Sequence, residues 1–406
     1  MTEPVEDVDE ETRPLGFETH LYILSAMFFF IFMGAGAQQA YLVPYLRDVT
    51  GWSGVMAGGV VATVYVSMLI FRLANVYLFP HWSDRRFTIV GSVSYLFFTV
   101  AMFAVAYLQS YAVILASAFL WGAGAAMMWT GTAMQTLSIS DRAENRHGTG
   151  MGILYSSTHA GWLIGAILLG NIYHAVTADT AQVLYAVAAG ITLIGNVLSL
   201  FIPATGQALR ETPAFVDLMA MVVRGRALIS GVLQFTSALG YGLFLGIFSA
   251  YMKEQFGTEW IWLAVALYPA TRMVMSFASG YLTDHVGHSP VLSGGFLIGA
   301  AGLIVTVMWQ SPFAASITGF TLGLLGSTVP VVAAAIVGDA SDTGRRPLSY
   351  GIVFGWRDLG VAVAAIGSNI IGVQFEMHTV FVVFAYVFAA CALLSVYLAR
   401  FADQEL

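Results

Sequence analysis

The sequence predicts an all-α polytopic membrane protein whose 12 transmembrane helices form two pseudo-symmetric six-helix bundles. Three observations predict it. The 406-residue chain is 58% hydrophobic and only 10% charged, with a mean hydropathy of +0.78, a balance that no soluble domain of this length carries. Its apolar residues fall in runs of about twenty or more between polar punctuation, long enough to cross a ~30 Å hydrocarbon layer as helices. One polar pattern also occurs twice: Arg72 precedes Asp84 at the separation at which Arg272 precedes Asp284. In both copies the arginine lies inside an apolar run and the aspartate marks where that run ends.

Taken in order, residues 1–19 are an acidic tail expected to be disordered, with Glu3, Glu6, Asp7, Asp9, Glu10, Glu11 and Glu18 supplying much of the net charge of −7. The tail lacks the basic start of a cleaved signal peptide, so the first span is expected to be retained. The spans are expected near 21–46, 53–79, 87–108, 111–137, 149–174 and 181–203, then 227–252, 260–282, 290–309, 313–337, 348–373 and 379–400. They define an N-terminal six-helix bundle (20–203), a linker (204–226), a C-terminal bundle (227–401) and a short tail (402–406). The linker holds Pro213 and an amphipathic stretch, Phe215 to Val223, expected to lie along the membrane surface. Arg13, Arg85, Arg86, Arg142, Arg146, Arg210, Arg224, Arg226, Arg345, Arg346 and Arg400 fall on the even-numbered loops and termini, against Arg47 and Lys253 on the odd-numbered ones. Both termini are therefore expected in the cytoplasm, with the protein in the cell membrane. Trp52, Trp260, Trp262 and Trp309 would mark the outer boundary. Cys391 is the single cysteine and has no internal disulfide partner. No cofactor, metal or nucleic acid is expected as a partner; membrane lipid and a small-molecule substrate are, with the chain as a monomer.

The halves repeat in a second place. Arg146, Gly152 and Gly161 recur as Arg345, Gly351 and Gly360 with the same internal spacings. Two similar bundles facing each other place a binding site on their interface at the bilayer midplane. Across nearly the whole chain after the tail, these residues resemble the major facilitator superfamily of secondary transporters. The resemblance is carried by Gly280, Asp284 and Gly287 where the eighth span gives way to the ninth, with His285 where a basic residue is usual. A poorer copy has Asp84 and Arg85, with Pro80 and Phe87 in place of the glycines. It implies that Asp84, Asp284 and Arg85 act in coupling and gating as a cytoplasmic latch. The fifth span resembles the family's antiporter-associated glycine motif at Gly152, Gly161, Gly165 and Gly170, with Ala166 where the proline is usual. On the fourth span Ala118 stands in place of the family's arginine. The family's architecture implies that spans 2 and 11 face each other, as do 5 and 8.

Ionisable groups share one depth. Arg72, Arg272, Arg357, Asp358 and His159 all lie ~16–20 Å from the loops preceding or following them, at ~1.5 Å per residue. A charge at the bilayer centre costs roughly 2.5–3.5 kcal/mol even on the lenient insertion scale, so each is a functional-site candidate. Three arginines against Asp358 leave an excess of positive charge that no deprotonation relieves. The expected substrate is accordingly a small anion, a carboxylate or similar oxyanion, held between Arg272 and one of Arg72 or Arg357, with the bundles rocking in alternating access. Arg72 with Asp358 is equally a structural or gating ion pair. Asp358 as a proton site and His159 as a packing residue are the other readings of those side chains. Gln38, Gln135 and Gln234 are further substrate-binding candidates, with Gln39 and Asn75 beside them. Tyr41, Trp121, Trp129, Tyr241 and Trp356 are candidate cavity walls, and Pro44, Pro269 and Pro330 candidate hinges or static kinks. Proton-coupled efflux of hydrophobic or drug-like compounds is the alternative function. An enzyme is not expected, because the spans hold no HExxH stretch and no paired aspartates.

Overall fold

The computed structural model describes residues 17–141, 147–203, 214, 225–286, 288–340 and 346–402. The first helix, α1, is built from four consecutive pieces: an α-helix Phe17–Ile31, a π-turn Phe32–Gly36, a 3-10 turn Ala37–Tyr41 and an α-helix Leu42–Thr50. It is followed by α2 (Gly54–Leu78), α3 (Asp84–Leu108), α4 (Tyr111–Asp141), α5 (His147–Ala175) and α6 (Val183–Ser199). After the linker, α7 is also interrupted, as an α-helix Gly225–Leu243, a π-turn Phe244–Phe248 and an α-helix Ser249–Phe256. The series closes with α8 (Ile261–Val286), α9 (His288–Met308), α10 (Pro312–Ala340), α11 (Arg346–Gln374) and α12 (Met377–Ala402). Among the described residues, 11 of these helices are long and apolar enough to cross a membrane. The twelfth, α8, has the length at 26 residues.

Local chemistry sets several boundaries. The Ser53 and Ser83 hydroxyls accept from the amides of Met56 and Arg86, capping α2 and α3. Asp84 opens α3, where a carboxylate complements the helix dipole. The eighth span ends later than expected, because helical backbone in α8 continues to Val286. Asp284 and Gly280 thus lie in the last turns of a helix and not in a loop. Their side-chain surroundings, and Gly287 altogether, lie outside the described residues, as do Arg146, Arg345, the amphipathic stretch 215–223 and most of both tails.

The bundles meet along α2 against α11 and α5 against α8, the facing pairs that the resemblance implied. Close approach within each bundle depends on two glycines that are repeat equivalents. A Cβ on Gly161 of α5 would collide with the Phe29 carbonyl of α1, and one on Gly360 of α11 with the Phe235 carbonyl of α7. Small residues of this kind let backbones touch where lipid offers no hydrophobic drive to association. Phe97 on α3, Leu193 on α6, Leu297 on α9 and Leu393 on α12 are exposed, so those four helices form an apolar outer surface.

Candidate functional site

A narrow central hollow lies between the bundles, and Arg72, Arg272, Arg357 and His159 all line it. The groups that the sequence places at one depth are therefore brought around one cavity. α2 contributes Arg72, α5 contributes His159, α8 contributes Arg272, and α11 contributes Arg357.

The arginines differ in circumstance. Arg72 and Asp358 are 1% and 0% exposed and form an ion pair through Nε and Oδ2. Arg357 donates from Nη1 to the other carboxylate oxygen at 3.0 Å, so one aspartate holds two guanidiniums, one on each oxygen. The Arg72 guanidinium also lies 5.5 Å from the ring centroids of Tyr350 and Phe354, while its Nη1 is buried without a hydrogen bond. Arg357, at 16% exposure, keeps part of its surface on the hollow. Arg272 is 6% exposed and has no carboxylate partner among the described residues; its Nε is a buried donor without a hydrogen bond. What supports it is aromatic: the guanidinium stands 5.7 Å from the Tyr241 ring and 5.6 Å from that of Tyr268. Arg357 lies 5.3 Å from the same Tyr241 ring, so the π-face of one side chain draws two like charges toward it. Among the described residues, three arginines line this cavity and the one carboxylate bound to any of them is Asp358, so the excess charge is positive.

His159 places Nδ1 2.5 Å from the Tyr155 carbonyl. A carbonyl only accepts, so Nδ1 carries a proton and the neutral ring offers Nε2 as an acceptor. The remaining wall is aromatic: Phe32, Trp129, Tyr155, Trp162, Tyr241, Tyr350 and Phe354 line the same hollow. Trp129 stacks on Tyr155 at 5.7 Å, and Trp162 meets Tyr241 edge to face, also at 5.7 Å. Of the five aromatic residues that the sequence singles out, Trp129 and Tyr241 line it. Trp121 instead stacks on Phe98, Tyr41 donates to the Ala166 carbonyl, and Trp356 packs beside Gly231. The sequence reading missed Tyr155, Trp162 and Tyr350, because an aromatic in an apolar run carries no mark of which way it faces.

The glutamines divide. Gln234 lines a smaller hollow beside the first, shared with Arg272, Arg357 and Tyr268. Gln38 and Gln135 are not brought to the cavity: Gln38 donates to Thr99 at 2.9 Å and Gln135 to Thr88 at 2.7 Å, each bond joining two helices of the N-terminal bundle. Arg85 turns inward on its own bundle, donating to the carbonyls of Ile202 and Leu200 and so capping the end of α6.

Ion pairs that the sequence analysis does not anticipate join the bundles at each end. At the end away from the termini, Arg47 pairs with Glu254 and Lys253 pairs with Asp48, and Tyr173 of α5 donates to Asp48. The signal was present: Tyr45, Arg47, Asp48 and Gly51 recur as Tyr251, Lys253, Glu254 and Gly257 in the same spacing, with both glycines at positive φ. At the termini end, Arg346 of α11 grips Asp141 of α4 with two bonds, 2.7 and 3.2 Å.

Comparison with known proteins agrees with this architecture. The family model described as Major Facilitator Superfamily matches residues 22–217 and 230–405. The inner membrane transport protein YajR of Escherichia coli (strain K12) is 28% identical over 155 residues, which is 35% of this chain and 32% of that protein. The chain thus aligns with about a third of the length of that relative. Among solved structures, the E. coli fucose:proton symporter FucP superposes with a TM-score of 0.68 at 13% identity, over 94% of this chain and 99% of that one. The nucleoside transporter NupG gives 0.69 at 10% identity over the same shares. At these identities the likeness is one of fold.

Proposed function

The chain belongs to the Major Facilitator Superfamily, a family of membrane transporters and not of enzymes, and from that premise we propose that it carries a small anion, a carboxylate or similar oxyanion, by alternating access. One observation carries the reading: Arg272 is buried at the bundle interface, faces the central hollow and has no carboxylate partner among the described residues. A buried charge without a partner is costly, and arginine does not relieve the cost by losing its proton. An anion reaching the hollow supplies the partner, and the planar guanidinium fork matches a carboxylate with paired hydrogen bonds. Arg357 is the second contact, since Asp358 occupies only one edge of it. Arg72, buried on the other oxygen of Asp358, orients that carboxylate and so sets where Arg357 points.

The protein would sit in the cell membrane with both termini in the cytoplasm, and Asp84 and Asp284 would act at the cytoplasmic closure. The aromatic lining supports a second reading, proton-coupled efflux of hydrophobic compounds. Uptake into proteoliposomes separates the two. The anion reading expects that Arg272→Gln abolishes transport of carboxylates that the unchanged protein moves. An efflux pump for neutral compounds would tolerate Arg272→Ala, and undiminished anion uptake by Arg272→Gln would sink the anion reading.

A further inference from the structure

We propose that the cargo of this site is an aromatic carboxylate, its charge on Arg272 and Arg357 and its ring against Trp129 and Trp162. The inference rests on the anion reading and adds what the rest of the cargo must be. A site for a small polar anion alone has no use for the wall seen here. Two tryptophans and several tyrosines and phenylalanines surround the hollow, while its ionisable groups besides tyrosine are the three arginines and His159. Arg272 and Arg357, the two arginines proposed to take the charge, lie on α8 and α11; Trp129 and Trp162 stand on α4 and α5. The two arginines and the two indoles thus line one hollow from opposite bundles.

Burial locates the contact points. Most of the lining side chains are almost fully covered by their neighbours, yet Trp129 and Arg357 keep exposed surface at a level where the helices around them are buried. A molecule in the hollow that covers both touches an indole face and a guanidinium together. Several donors of the lining are buried without hydrogen bonds, Arg272 Nε and Trp162 Nε1 among them. Buried donors are rarely left unpaired in finished structures, and carboxylate oxygens satisfy them.

The test is calorimetric titration of the purified, detergent-solubilised protein with benzoate, acetate and benzamide, a ringed anion, a ringless anion and a ringed neutral amide. Benzoate is expected to bind about tenfold tighter than acetate, the scale of one or two good aromatic contacts, and benzamide is expected not to bind at millimolar concentration. Trp129→Leu should collapse the benzoate-to-acetate affinity ratio toward unity, and Trp129→Phe should keep most of it; size-exclusion profiles confirm that each variant is folded. Should Trp129→Leu not fold, the three ligands on the unchanged protein still decide. Benzoate and acetate binding equally, both lost in Arg272→Gln, would overturn the ring inference and leave the anion reading standing. Benzamide matching benzoate would overturn both, and so would no binding of either acid.

Discussion

Arg72 and Arg272 occupy repeat-equivalent positions, and their surroundings assign them opposite sensitivities. Arg72 is neutralised by Asp358, which also takes Arg357. Removing one partner from a buried pair leaves an uncompensated charge and typically costs about 3–5 kcal/mol. Asp358→Asn strands two arginines at once, so it is expected to lower the melting temperature of the purified protein sharply, as read by a thermal unfolding assay in detergent. Arg72→Met combined with Asp358→Leu should recover much of that loss, because a hydrophobic pair of similar volume replaces a desolvated ionic one. Arg272 has no carboxylate among the described residues to strand. Arg272→Gln is therefore expected to leave the melting temperature unchanged or raised, and to lose the increase that a saturating anionic ligand produces in the unchanged protein. A large fall in stability for Arg272→Gln without ligand would show that this side chain is structural after all.

Among the helices, the repeat carries the packing as well as the charges. Gly161 and Gly360 hold equivalent places, one admitting the α1 backbone and the other that of α7. Gly161→Val or Gly360→Val is expected to force the helices apart and lower the yield of monodisperse protein, overpacking of this kind costing about 1–3 kcal/mol. The same substitution at Gly152, where an added Cβ meets nothing, should be tolerated. A chromatography profile of the three variants tests the contrast. These glycines were legible in the sequence as a spacing, and the arginines as violations of an apolar run; both stand out because they break a local rule. What was not legible lacked such a mark. Trp162 is 2% exposed and walls the cavity, while Tyr386 is 74% exposed, yet both sit inside spans with apolar neighbours in the chain. The π-turns in α1 and α7 likewise left no signature beyond nearby glycines. Gln38 and Gln135 looked like site residues because amides in spans are rare, and each proved to join helices, the commoner use of such a group.

At the scale of the molecule, this conformation is latched at both ends around a covered cavity. Asp141 with Arg346 holds the termini end, and the opposite end is held by two pairs that cross each other, Arg47 with Glu254 and Lys253 with Asp48. The latter are products of one motif met by its own repeat: each bundle presents a cation followed by an acid, and each cation takes the other bundle's acid. The side chains are a quarter to two-fifths exposed, so each pair contributes only about 0.2–1 kcal/mol. That weakness suits a transporter, since a change of this size shifts a two-state equilibrium by at most about fivefold without locking it. Glu254→Arg places two cations on α7 opposite Arg47, and is expected to populate the state open at that end. Arg47→Glu, leaving two acids on α1, is expected to act likewise. Combining the two substitutions sets a pair of acids on α1 against a pair of cations on α7, opposite charges throughout, so the double variant should close the end that each single change opens. Spin labels near the ends of α1 and α7, in a background where Cys391 is replaced by serine, report this as a longer distance in each single variant and its return in the double. If the double variant stays as open as the singles, charge complementarity does not set the closure, and packing of the two helix ends must hold it.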